Sequence, residues 1–324
     1  MHTRLHTMKL ALRKSANALL CCVPKPLTRY LLKSIWYQSA LQDALRYHVL
    51  PYGYGSTIPT RFDINPERLK KRRNLPGIQL DDQRFLSLLE QLVPFAAELR
   101  QFPLQRAADA EFWFRNGGYE DLDATSLYCM IRKFKPRRIV EAGCGFSSRV
   151  ISLACRRNQA EGHPAECIFI EPYPSDRILT SKLAGELLVK KIEEVPLETF
   201  QNLQAGDIFF IDTSHVIKTQ NDCCYEYLQI IPSLSAGVLL HVHDIYTPYD
   251  YPEELITELL NGWNEQYVLE CLLTHNPRME VLLPVFYLWT DYPTQTGRLF
   301  PPPSGRPGAI WLQTKEPSPK SEVG

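Results

Sequence analysis

Two stretches of this 324-residue chain place histidines and acids where they could do chemistry. In "GVLLHVHDIYTPYDYP", His241, His243 and Asp244 close an apolar run. In "GDIFFIDTSH", Asp212 and His215 follow another. Imidazole titrates near neutral pH and is a common metal ligand. Carboxylates suit hard divalent ions. Together these residues can hold a metal ion or move a proton. A third stretch, "VEAGCGFSSR", puts Glu141, Gly143 and Gly145 where a strand would turn into a helix. Glycines there let a ligand approach the backbone, and the helix start offers free N–H groups. One strand later, "FIEP" places Glu171 where an acid can accept hydrogen bonds from both hydroxyls of a ribose. A full G-x-G-x-x-G fingerprint would need glycine at Ser148, which disfavours pyrophosphate.

Such residues need a scaffold that gathers strand ends. "RRIVEAG", "ECIFIEP", "GDIFFIDTSH" and "GVLLHVHD" are short apolar runs separated by helical stretches. This alternation predicts βα units and a mostly parallel sheet covered on both faces. Ligands of such sheets sit outside the carboxyl ends of the strands. Neighbouring strands lie ~4.8 Å apart, so Asp212, His215, His243 and Asp244 are expected to meet. Upstream, "DDQRFLSLLEQLVPFAAELRQF" predicts a helix with Phe85, Leu88, Leu89, Leu92 and Ala96 on one face. Asp81 or Asp82 caps it and Pro94 kinks it. A second helix runs from Asp123 to Lys135-Pro136. After Pro252, "EELITELLNGW" and "EQYVLECLLTH" read as helical, "MEVLLPVFYLW" and "GAIWLQ" as two final strands, and "YPTQTGRLFPPPSGRPG" as loop. Residues 51–80 read as a linker or wrapping loop whose "RLKKRR" run is a solvated face. The expected organisation is a basic, helical N-terminal segment (1–60), a linker and helical cap (61–122), the catalytic domain (123–314) and a disordered tail (315–324).

The 36 basic and 36 acidic residues cancel, so no global field draws nucleic acid or an anionic membrane. The first fifty residues are uneven, with eight Lys/Arg against Asp43 alone. A basic amphipathic helix on a membrane surface is one reading of residues 1–50; a solvated or partner-covering helix is the preferred one. The apolar part from Ala16 to Val23 is short and lacks a small-residue cleavage site, so no signal peptide is expected. No apolar run reaches the ~18 residues of a membrane span. The nine cysteines include no C-x-x-C pair, and Cys21-Cys22 and Cys223-Cys224 are vicinal. Cys129, Cys155 and Cys167 lie in apolar stretches and read as small buried hydrophobes in a reducing, cytoplasmic compartment.

"IVEAGCGFSS" resembles the first motif of class I S-adenosylmethionine-dependent methyltransferases, and "FIEP" resembles their ribose-binding acid. "VPLETFQNLQAGDIFFIDTSHVIKTQNDCCYEYLQIIPSLSAGVLLHVHDIYTPYDYP" is similar to the bacterial methyltransferase type 24 branch. Its members tend to read D-S-S-H, then L-x-x-G-V-x-x-H-x-H-D-I, then an aromatic and a proline. "WNEQYVLECLLTHNPRMEVLL" fits the same branch, and the resemblance covers roughly residues 112 to 313. It implies an α/β fold: a Rossmann-like seven-stranded sheet, mostly parallel with one antiparallel strand, behind a helical N-terminal extension. It implies that Glu141, Gly143 and Gly145 hold the methionine end of S-adenosyl-L-methionine, that Glu171 binds its ribose, and that Val195 and Pro196, with Leu197, flank its adenine. Asp212 joins the cofactor-binding set. The chain departs from the branch at Cys144, where Ser or Thr is commoner, and at Thr213, where Ser is.

The implied reaction is methyl transfer to a small-molecule acceptor, expected to be a hydroxyl oxygen. His215 or His243, with Asp244, would serve as general base. Alternatively Asp212, His243 and Asp244 would hold a divalent metal such as Mg that lowers the acceptor's pKa. Blander readings stand beside these. His241 is a satisfied core histidine, Asp244 caps a loop, and Asp212 binds cofactor or substrate without metal. Lys218 is solvent-exposed, and Tyr246, Tyr249 and Tyr251 line the acceptor pocket or pack. Asn116, Tyr119 and Asp123 are further candidates for cofactor or acceptor contact. Two other classes remain: a metal-dependent hydrolase using His241, His243 and Asp244, and a non-catalytic methyltransferase-fold binding protein.

Overall fold

The four apolar runs fold as neighbouring strands of one seven-stranded sheet in the computed structural model. The structure describes residues 24–36, 38–46, 56, 58–59, 62–107, 110–257, 261–301 and 304–316. The strands are β1 (Arg138–Ala142), β2 (Glu166–Ile170), β3 (Glu186–Leu188), β4 (Ile208–Ile211), β5 (Leu239–His243), β6 (Met279–Pro284) and β7 (Ala309–Thr314). Their order is β3-β2-β1-β4-β5-β7-β6. Only β7 runs against its neighbours. The α/β fold is therefore Rossmann-like, mostly parallel with one antiparallel strand. The chain lays β2 and β3 on one side of β1 and β4 on the other, the kind of reversal that opens a crevice at the strands' carboxyl ends. Every residue of β4 and β5 is buried, as strands covered on both faces require. Register pairs Ala142 with Ile211 and Ile211 with Val242. Gly143, Asp212 and His243 therefore follow at the same level, side by side at that edge.

The chain parts into two units, Met1–Ile64 and Asn65–Gly324. In the first, α1 (Lys25–Trp36) packs on α2 (Ser39–Leu45). The readings of Ala16 to Val23, of Cys21-Cys22 and of residues 317–324 lie outside the described residues. The second unit holds the sheet and its helices. In α3 (Asp82–Ala96), Phe85, Leu89, Leu92 and Ala96 form the buried stripe and Asp81 caps the start, accepting from Arg84 N at 3.2 Å. Past Pro94 this helix tightens into a 3-10 turn, Ala97–Gln101. α4 (Asp121–Phe134) begins two residues before Asp123 and ends at Lys135, whose φ is 49°. α5 (Phe146–Ala160) follows the glycine turn. α6 starts as Asp222–Tyr225, widens into a π turn over Glu226–Ile230 and finishes as Ile231–Ser233. Pro232, lacking an N–H, sits just beyond that wide turn. α7 is Glu265–Leu273 and α8 is Val285–Asp291.

Three readings of the sequence need correction. "MEVLLPVFYLW" is not one strand: it stops at Pro284, and Val285–Asp291 coils into α8. Proline cannot donate to a ladder and is tolerated at the end of an edge strand, while Val285, Tyr287 and Leu288 bury better on a helix face. The stretch read as loop contains a short helix, Pro293–Thr296, started by its proline. "RLKKRR" is not solvated throughout. Arg68, Lys70 and Lys71 are exposed. Arg73 turns inward, donating to Glu270 Oε2 and to Tyr249 O at 2.8 Å each, and lies 3.3 Å from Asp250. Cys129, Cys155 and Cys167 are buried free thiols, as expected.

Candidate active site

Gly143 has φ +85°, and a Cβ there would stand 1.8 Å from Asp212 O, so the turn against β4 admits only glycine. Gly145 is different. A Cβ on it would meet nothing nearer than Ser147 Oγ at 4.0 Å, which leaves room for a ligand over the start of α5. Ser148, which broke the dinucleotide fingerprint, accepts from Gly145 N at 3.1 Å and ties down that turn. Glu141 is fully buried beneath it. One oxygen accepts from Ser147 Oγ at 2.5 Å; the other has no partner among the described residues. Burial pushes this carboxyl up to about 8, against the hydrogen bonds from Ser147 and Ser148. Glu171 accepts from Cys144 N at 3.1 Å with one oxygen and from Tyr173 N at 2.8 Å with the other. Each oxygen keeps further acceptor capacity. Val195 is buried, its carbonyl taking a hydrogen bond from Tyr225 Oη at 3.0 Å, and Pro196 beside it is exposed.

The acids and histidines of β4 and β5 do converge. His215 Nε2 lies 3.3 Å from Asp212 Oδ1 and 3.4 Å from Asp244 Oδ2. His243 Nδ1 faces the same two oxygens at 3.4 and 3.7 Å. Asp212, His215 and Asp244 form a possible ligand set, with donor atoms within 4.8 Å of one another. His243 stands beside that set and reaches Asp123 Oδ2 with Nε2 at 3.4 Å. The carboxylates remain open, Asp212 at 26 % and Asp244 at 21 % side-chain exposure, whereas both imidazoles are buried behind them. His215 and Asp244 each take left-handed backbone, φ 58° and 55°. For non-glycine residues this is strain of the kind that clusters at working sites.

Burial works against a charge on either imidazole, but the carboxylates win. Hydrogen bonds to Asp212 and Glu265 and the field of both acids hold His215 well above the ordinary imidazole range. The fields of Asp212 and Asp244, with hydrogen bonds to Asp123 and Asp212, do the same for His243. Asp212 in turn is held below the usual carboxylate range: burial opposes this, and the charge of His243 and the hydrogen bond from His215 outweigh it.

Residues that sequence reasoning missed stand behind this array. Glu265, fully buried at the start of α7, meets His215 Nδ1 at 2.8 Å with Oε2 and accepts from Tyr227 Oη at 2.9 Å with Oε1. The backbone N–H groups of Asn264 and Glu265 also donate to His215 O, at 3.0 and 3.2 Å. The ring of Trp263 packs 4.7 Å from that imidazole. Glu226, on the wide turn of α6, accepts from Thr213 Oγ1 at 3.2 Å, and burial beside Glu265 and Asp222 holds its carboxyl well above the ordinary value. Asp123, already a candidate from the sequence, accepts from Gly308 N at 3.0 Å as well as facing His243. An acid at a helix start reads in sequence as a response to the helix dipole, so Glu265 carried no separate signal.

The remaining candidates lie around this array rather than in it. His241 is buried one pleat deeper than His243, stacked on Phe210 at 4.3 Å with Tyr119 Oη 3.2 Å from Nε2. It is a core histidine satisfied on one nitrogen only; Nδ1 has no partner among the described residues. Tyr246, Tyr249 and Tyr251 are buried, hydrogen-bonded to Asp244, Asp291 and Gln266 N. Asn116 closes its own loop, accepting from Gly118 N and Tyr119 N. Lys218 is exposed.

Residues 140–245 match the model of a family described as a methyltransferase domain. That stretch is similar to a methyltransferase domain, in keeping with the class I type 24 resemblance of its motifs. The matched span contains the glycine turn, Glu171 and the whole acid–histidine array of β4 and β5. An uncharacterised protein of Archaeoglobus fulgidus is 29 % identical over 146 residues, 44 % of this chain. The chain spans 65 % of that relative's length. Among solved structures, an O-methyltransferase from Bacillus cereus in complex with SAH is 14 % identical with a TM-score of 0.35, covering 73 % of this chain and 92 % of that one. The TDP-rhamnose 3'-O-methyltransferase CalS11 gives 14 % and 0.36 over 74 % and 99 %, and the plantazolicin methyltransferase BpumL 16 % and 0.36 over 60 % and 83 %. With TM-scores this low, the reaction of the methyltransferase domain has to be read from its own side chains.

Proposed function

We propose that the protein transfers the methyl group of S-adenosyl-L-methionine to a hydroxyl of a small-molecule acceptor, with a divalent metal ion held by Asp212, His215 and Asp244. The observation that carries this reading is the convergence of Asp212 Oδ1, Asp244 Oδ2 and His215 Nε2 at the open edge of the sheet. The remaining nitrogen of His215 is fixed by Glu265, the carboxylate–histidine arrangement typical behind metal ligands. Two carboxylates and an imidazole suit Mg, Mn or a softer divalent ion. When bound, such an ion would lower the pKa of an acceptor hydroxyl.

The residues also fit the methyl donor, whose sulfonium supplies the methyl group. Glu171 has acceptor capacity left for two ribose hydroxyls. Glu141 has a buried oxygen without a partner and Gly145 leaves space above α5. Val195 and Pro196 then border the adenine. The base reading of His215 and His243 needs a neutral imidazole, and so does ligation by His215: a metal would displace the proton that the carboxylates favour on Nε2. The hydrolase reading loses His241, which packs against Phe210 and Trp311 rather than joining the cluster.

The test is formation of S-adenosylhomocysteine by the purified chain offered the methyl donor and a small-molecule fraction. The expected result is turnover that stops with a chelator and returns with Mg or Mn. Turnover indifferent to chelation would remove the metal, and failure to bind the donor in calorimetry would remove the whole reading.

A further inference from the structure

We propose that α1 docks the protein on the surface of an anionic lipid bilayer. The helix Lys25–Trp36, "KPLTRYLLKSIW", contains no acid. Leu27, Tyr30 and Leu31 stand at i, i+3 and i+4, so they share one face. They are 51 %, 70 % and 51 % exposed. Leu32 is also exposed, and α2 adds exposed Leu41. Lys25 and Lys33 are exposed as well, with Arg29 between them in sequence. Positions 25, 29 and 33 recur every four residues and so follow a different stripe of the helix from 27, 30 and 31.

An exposed apolar face beside a basic one is the pattern of a helix lying in the headgroup region, apolar side down. The chain as a whole carries no net charge, yet its first fifty residues hold eight Lys/Arg and one acid. That local excess complements an anionic leaflet. Nucleic acid would use the basic stripe but has no use for three exposed apolar side chains. At 1.5 Å per residue the 12-residue helix is ~18 Å long, short of the ~30 Å bilayer core, so it lies along the surface. Among the described residues no helix is long and apolar enough to cross a membrane. Docking there would give the methyltransferase domain an acceptor concentrated at the membrane.

The full chain is sedimented with vesicles of phosphatidylglycerol and phosphatidylcholine in equal parts, and with phosphatidylcholine alone. Binding to the mixed vesicles is expected to be at least tenfold tighter and to weaken at high salt. Leu27→Ser with Leu31→Ser, and separately Lys25→Glu with Lys33→Glu, should each reduce it at least tenfold. Because these side chains are exposed, both variants should keep the wild-type melting temperature and donor affinity; Tyr30→Ser serves if the leucine pair does not. No binding to mixed vesicles, or binding that survives the leucine changes, overturns the proposal.

Discussion

Glu141 makes the donor site's pH dependence predictable. Its carboxyl is lifted from the ordinary 4.5 to about 8 by complete burial. At pH 7 roughly a tenth of it is ionised in the free protein. If its unpartnered oxygen receives the ammonium of the donor's methionine end, binding must drive off that proton. Donor affinity should then rise about tenfold per pH unit from pH 6 towards 8. Above ~8 it should turn over, because the donor's own amine loses its proton there. At pH 7 the unmet ionisation costs about 1.4 kcal/mol of binding. In Glu141→Gln the slope should vanish, leaving weaker, flat affinity. The assay is calorimetry with S-adenosylhomocysteine from pH 6 to 9, repeated in two buffers of different ionisation enthalpy to count the proton released.

The same residue predicts a stability signature of fixed sign. Its folded value lies above its unfolded one. Its contribution to stability is therefore present in full below pH 4.5 and is lost as pH rises through about 8. Glu141→Gln should escape that loss, so the variant gains on wild type between those limits. The full swing bounds the gain at ~5 kcal/mol, and ~2–3 kcal/mol is the realistic expectation once water reaches the ionised site. Denaturant midpoints at pH 4.5 and 8.5 measure it. Wild-type donor affinity that is flat from pH 6 to 8, together with a stability gap that does not grow with pH, would refute the buried-acid argument.

Three further predictions follow from named contacts. Glu171→Ala removes an acceptor for two ribose hydroxyls at ~1.5–3 kcal/mol each, so S-adenosylhomocysteine affinity should fall ~100-fold or more; unchanged affinity in calorimetry would strip Glu171 of that role. Glu265→Gln keeps the shape but loses the charge behind His215, and Mn affinity followed by its electron paramagnetic signal should weaken ~10–100-fold while donor affinity holds. Arg73→Ala leaves Glu270, whose side chain is 9 % exposed, without its ion-pair partner; a loss of ~3 kcal/mol in urea unfolding is expected, and a loss below ~1 kcal/mol would make the pair a surface contact.

How far the site was legible in the sequence depends on where each side chain sits along its strand. Asp212, His215, His243 and Asp244 end short, wholly apolar runs, so their place at a sheet edge is legible in the sequence. β3 has three residues and an exposed edge, too little pattern to read alone. The sequence of α8 favours a strand, since Val, Phe, Tyr and Trp prefer strands, and the packing of Val285, Tyr287 and Leu288 overrides that preference. Glu265 lies fifty residues from His215 and meets it only through the docking of α7 on the His215 carbonyl.

The histidine pair shows the limit most sharply. His241 and His243 are two apart on β5, so a period of two puts both on one face, and their rings do lie nearly parallel, 6.3 Å apart. What the spacing does not state is depth. One pleat further in, Tyr119, Phe210 and Trp311 close around His241, and burial holds its imidazole well below the ordinary range. One pleat further out, carboxylates from two strand ends and from α4 surround His243 and hold it well above. Two identical side chains on one face are thus pushed in opposite directions. The step between them is where β4 ends, because Phe210, paired with His241, is the last residue of β4 that covers this face with hydrocarbon, and Asp212, two residues on, is the first that presents an acid.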